Sequence, residues 1–129
     1  MIVYMKKYIA IPEGIYSLQI DDFEERTSKD RGQPYLLWKI SITEGAMQGK
    51  RFSVITAKDL TLKNNLARFL LRIGLEAMKP GMQLDLSQLK GYGFVGKVVV
   101  EKNKTGGEFN KIGEITVPEY NRLQQQSNS

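Results

Sequence analysis

Residues 32–57 read GQPYLLWKISITEGAMQGKRFSVITA, and the fold turns on how that stretch divides. Alternation places Leu36, Trp38, Ile40 and Ile42 on one face of a strand and Tyr35, Leu37, Lys39, Ser41 and Thr43 on the other. The first face is apolar enough to be core. In the second run Phe52 and Val54 share a face while Arg51, Ser53 and Ile55 share the opposite one, with Lys50 at the entry. Gly45 and Gly49 lie between the runs and supply the backbone freedom a short connection needs. An antiparallel hairpin results, with aromatic and cationic side chains outside.

Working outward, GIYSLQIDDF from Gly14 alternates and predicts a first strand, Tyr16, Leu18 and Ile20 facing one way. The polar residues 21–33 read as a long mobile connection carrying Lys29, Arg31 and Gly32. Before Pro12, residues 1–11 alternate poorly and suit either an edge strand or a loosely held arm. After the hairpin, Leu62, Leu66, Phe69, Leu70 and Ile73 build one apolar helical stripe, with Thr61 as expected N-cap and Gly74 as the stop. Lys63, Asn64, Asn65, Arg68 and Arg72 occupy the opposite, solvated face. GYGFVGKVVVEKN predicts a fourth strand, with Phe94, Val98 and Val100 facing together, and FNKIGEITV a fifth. The expected class is therefore all-β with one helix, in the order β-β-β-α-β-β. One domain is expected over residues 1–117, with the polar, glutamine-rich tail 118–129 disordered.

The totals narrow the function. With 129 residues, 41% of them hydrophobic, the chain suits one compact domain. No apolar run approaches the roughly 20 residues that cross a bilayer, and MIVYMKKYIAIPEG lacks a signal-peptide pattern, so a cytoplasmic protein without membrane association is expected. Cysteine and histidine are both absent. That removes disulfides, thiolate nucleophiles, finger-type zinc sites and imidazole bases. The formal net charge of +5 suits an anionic partner, although mild basicity also serves solubility alone.

Two patterns for chemistry fail on context. Gly91, Gly93 and Gly96 match G-x-G-x-x-G, but they lead into Val98-Val99-Val100 and not into a helix that could meet a pyrophosphate. These glycines are expected to permit strand bending or close backbone approach. Asp21, Asp22, Glu24 and Glu25 cluster, yet as solvated loop charges they lack the convergence that two-metal chemistry needs. No metal, no cofactor and no enzymatic activity are expected.

Interleaved basic and aromatic residues are the stronger signal, because single-stranded nucleic acid is held by cationic grooves and by rings on which bases stack. Tyr35 and Lys39 lie on the second strand, Lys50 and Arg51 at the third, Tyr92 and Lys97 on the fourth, and Phe109 and Lys111 on the fifth. Trp38, Phe52 and Phe94 are assigned to the core and Tyr35 to the surface. Tyr92 and Phe109 fit either.

PEGIYSLQI, residues 32–52, the helix ending LLRIG, LKGYGFVGKVVV and GEFNKIGEI together resemble the small single-stranded DNA-binding proteins of bacteriophages and prophages. They also resemble phage proteins placed beside recombination genes. The likeness covers about residues 11–117, with Gly32, Pro34, Gly45, Gly49, Gly74, Gly91 and Asn110 in its pattern. It implies an OB-fold, a five-stranded Greek-key barrel. It also implies DNA lying across the second and third strands, near Lys29, Arg31, Tyr35, Lys39, Lys50 and Arg51, and near Lys102 and Lys104 of the last turn. The function so implied is binding of single-stranded DNA with little sequence preference, during replication or recombination and beside the proteins of those processes. The tail QQQSNS departs from the acidic, phenylalanine-tipped ending of bacterial proteins of this kind. An assembly module on the same barrel, pairing through Tyr35, Leu37 and Ile55, and an RNA-binding protein remain as alternatives. Rim edge strands also leave room for a homo-oligomer.

Overall fold

The computed structural model describes residues 9–61, 64–75, 81, 83–116, 118–119 and 121–123. The strands are β1 (Gly14–Thr27), β2 (Pro34–Ile42), β3 (Arg51–Ala57), β4 (Gly93–Lys102) and β5 (Glu108–Gly113), with helix α1 (Asn65–Arg72) between β3 and β4. A 3₁₀ turn at Leu86–Leu89 precedes β4. All pairings are antiparallel, in one sheet of order β3-β2-β1-β4-β5.

The alternation read from residues 32–57 holds. Leu36, Trp38, Ile40, Ile42 and Phe52 are buried, and they meet Leu18 and Ile20 of β1, Val98 of β4 and Ile112 of β5. Leu66, Phe69, Leu70 and Ile73 close the core from α1. Trp38 is packed between Phe23 and Phe69, with centroids 4.9 and 4.8 Å away, and its Nε1–H donates to Thr56 Oγ1 at 2.9 Å. That bond satisfies the indole, which can then be buried without a desolvation penalty.

The stretch read as a long connection after the first strand is mostly strand. β1 runs on to Thr27, and the register shifts between Ile20 and Asp22. The bulge reverses the alternation, so Phe23 turns inward opposite Trp38 while Asp22, Glu24 and Arg26 pair with the outward residues of β2. The turn left over is short, and Ser28 N–H closes it on Gln33 O at 2.9 Å.

The closed barrel is not observed: β3 and β5 are the two edges of an open sheet. Side chains of α1 reach both edges where a ladder would run. Asn65 Oδ1 accepts from Ala57 N–H at 2.8 Å on β3, and Arg72 Nη1 donates to Ile112 O at 3.2 Å on β5. The helix thus takes up edge groups that direct pairing would use, which is one physical reason for the gap.

α1 begins later than expected. Its N-cap is Asn64, whose Oδ1 accepts from Ala67 N–H at 3.0 Å, while Leu62 and Lys63 lie outside the described residues. Gly74, at φ +102°, ends it as expected, with Gly74 N–H on Leu71 O and Leu75 N–H on Leu70 O. At Gly96 it is side chains, not backbone, that come close: a Cβ there would lie 2.9 Å from the Phe94 ring and 3.0 Å from Leu18 Cδ1. The arm expected before Pro12 falls largely outside the described residues. Ile11 itself is fixed, its N–H donating to buried Asn110 Oδ1 and its carbonyl accepting from Asn110 Nδ2, both at 2.9 Å. In the tail, Pro118, Glu119 and residues 121–123 are helical, and residues 124–129 lie outside the description.

Candidate nucleic-acid interface

The register of β1, β2 and β3 sets the outer face. Tyr35 stands between Arg26 and Ala57, Leu37 between Glu24 and Ile55, and Lys39 between Asp22 and Ser53. Arg51 comes next, opposite Ser41. Period-two geometry forces these side chains away from the core because their neighbours in sequence fill it.

Beside this face lies a cavity of about 630 Å³, lined by Arg26, Leu37, Lys39, Arg51 and Ser53 and, from the far edge of the sheet, by Phe109 and Asn110. Asp21 lines it too, its Oδ1 accepting from Ser41 Oγ at 2.9 Å. A second cavity, of about 410 Å³, opens between β3, β5 and α1 and carries Arg68, Arg72 and Lys111. Ser53, Phe109 and Asn110 line both. The two therefore form one groove along the open seam, with six cationic side chains and a half-buried phenyl ring at the junction.

Part of that charge is already engaged. Glu24 pairs with Arg26, and its Oε2 lies 3.7 Å from Lys39 Nζ. Lys111 Nζ is 3.0 Å from Glu101 and 5.5 Å from the centroid of Phe109. The guanidinium groups of Arg51 and Arg68 meet no carboxylate among the described residues. Asp22 is held below the ordinary carboxylate range by the Phe23 N–H and then by Lys90, at 3.3 Å. Lys58 is raised by its hydrogen bond to Glu25.

Of the twelve expected contact residues, the structure brings Lys39, Arg51, Phe109 and Lys111 to the groove. Tyr35, half-buried, and exposed Lys50 adjoin the same strands. Lys29 and Arg31 are exposed in the turn beyond Thr27, and Lys102 and Lys104 at the β4–β5 turn. Gly14 is opposite Val98, so β4 runs past the start of β1, and the two turns extend from opposite ends of that strand. Tyr92 and Lys97 do not line the groove. The Tyr92 hydroxyl donates to Ile73 O at 3.0 Å, and Lys97 Nζ lies 2.9 Å from Glu119 Oε1. Arg26, Arg68 and Arg72 were missed. Arg26 was hidden by the bulge, and the i, i+4 pair on α1 looked like an ordinary solvated face. Among the described residues no group of three or more carboxylates could hold a metal ion, and no helix is long and apolar enough to cross a membrane.

An open, five-stranded antiparallel sheet with a basic seam is thus the class that the geometry defines. The chain belongs to the family described as a protein of unknown function, DUF669, whose profile matches residues 4–117. No curated protein matches it.

Proposed function

We propose that this protein binds single-stranded DNA without catalysis, on an OB-type barrel opened between β3 and β5. Joining those edges on the observed strand order would give a five-stranded Greek-key barrel with α1 at the seam, which supports the finer fold reading. The observation that carries the function is the convergence of Arg26, Lys39, Arg51, Arg68, Arg72 and Lys111 around Phe109 in one groove. Cations along a track neutralise phosphates, and a ring beside them offers a stacking face indifferent to base identity. A role in protecting or organising single strands in phage-type replication or recombination fits such a surface.

The test is anisotropy of labelled oligo-dT, with duplex DNA and matched RNA in parallel. Micromolar or tighter binding to the single strand, weakened by Arg51→Ala without loss of thermal stability, is the expected result. Indifference to single strands overturns the proposal, and preference for the RNA replaces DNA with RNA.

One observation favours a second reading, an assembly module. Leu37 and Ile55 are cross-strand neighbours on the outer face, and Ile55 is 60% exposed. Sedimentation discriminates: a stable dimer disrupted by Ile55→Lys would assign this apolar pair to a second copy.

A further inference from the structure

We propose that the cavity between β3, α1 and β5 is a pocket for one unstacked nucleotide of the bound strand, its base lodged in the seam and its phosphate held at the helix face. This rests on the single-strand reading above and adds a subsite to it. The cavity holds about 410 Å³, within the range of small-ligand sites. Its lining combines three properties that together fit a nucleotide. Val54, Phe69 and Ile112 give apolar surface for a ring.

The walls are strand edges: no main-chain hydrogen bond joins β3 to β5 among the described residues, and an edge strand turns alternate N–H and C=O groups outward. Asn65 Oδ1 and Arg72 already take up Ala57 N–H and Ile112 O, so what the helix leaves for a base edge is the Asn65 Nδ2 amide, which has no protein partner among the described residues. Arg68 and Arg72 then stand at the helix side with Lys111 across from them, placed for a phosphate. An added peptide strand would satisfy the same edges but would leave the Arg68 and Arg72 guanidinium groups without an anion among the described residues. The larger cavity continues from Ser53 and Phe109, so neighbouring nucleotides stay in the cationic groove.

The experiment compares wild type, Arg51→Ala and Arg68→Ala with labelled oligo-dT, and walks a single photoreactive 5-iodouridine along the oligonucleotide with peptide mapping of the adducts. Arg68 is exposed and without a carboxylate partner among the described residues, so its removal leaves the fold intact, as thermal unfolding will verify. Roughly five- to tenfold weaker binding by Arg68→Ala is expected, on the scale of one charge-assisted contact. The lodged base should crosslink to the peptide containing Phe69, and Arg68→Ala should abolish that adduct. If Arg51→Ala weakens binding while Arg68→Ala does not, or no adduct maps to the peptide containing Phe69, the pocket is overturned and the groove stands. Wild-type indifference to oligo-dT overturns both.

Discussion

Glu24 governs how much of the groove's charge a ligand meets. Its carboxylate pairs with Arg26 and lies 3.7 Å from Lys39, where a phosphate would otherwise sit. A phosphate bound at Arg26 or Lys39 would have to displace it. Glu24→Gln should therefore tighten oligo-dT binding, by up to roughly 1 kcal/mol since the pairs are exposed, in a titration at fixed salt. Unchanged or weaker affinity would remove Glu24 from this role. Phe109 acts in the opposite direction. Its half-buried ring joins the two cavities, so Phe109→Ala should cost about 1–3 kcal/mol of binding, the worth of one stacked base, with little change in thermal unfolding. Trp38 is 0% exposed, so bases held only on the outer face should leave its emission constant as oligo-dT is added. Quenching would instead report a base lodged against Phe69, whose ring centroid is 4.8 Å from that of Trp38.

At the scale of elements, α1 is eight residues long, too short to persist without its cap and its packing. Asn64 serves it twice, accepting from Ala67 N–H and donating Nδ2 to Asp59 O at 2.7 Å. Asn64→Ala should lower stability by about 1 kcal/mol in urea unfolding, and because α1 carries Arg68 and Arg72 it should loosen binding too. The helical start of the tail is held by acid-sensitive contacts. Thr116 N–H and Oγ1 donate to Glu119 Oε1, and Lys97 bonds to the same carboxylate, lowering its pKa from 4.5 to about 2.

A lowered folded pKa means that this contribution is complete above about 4.5 and is lost as pH falls through about 2. NMR titration of Glu119 should show that low midpoint, and Glu119→Gln should free the tail at every pH. The T-x-x-E spacing of residues 116–119 is a capping box that the reading of the tail as disordered passed over. The core faces of β2 and β3 were legible because their alternation is unbroken. β1 beyond Ile20 was not, because one bulged residue reverses the pattern and makes an outward-facing Arg26 look like loop. Nor does helical periodicity distinguish a merely solvated arginine pair from one that faces a gap across two distant strands.

Over the whole molecule, the open seam makes binding a matter of local charge more than of the total. The formal net charge is +5, yet six cations converge on one groove. Arg26, Lys39 and Lys111 have carboxylate neighbours, whereas Arg51, Arg68 and Arg72 have none among the described residues. Between three and six phosphates should then be neutralised on binding. Counterion release from single strands scales as about 0.7 per phosphate, so the slope of log affinity against log salt should fall at roughly −2 to −4. Arg51→Ala and Arg68→Ala should each make it shallower by about 0.7, because each removes one phosphate contact. Lys97→Ala, whose side chain is held by Glu119 away from the groove, should leave the slope as it is. A slope near zero, or one that Lys97→Ala flattens as much as Arg51→Ala, would mean that the strand does not track the seam between β3 and β5.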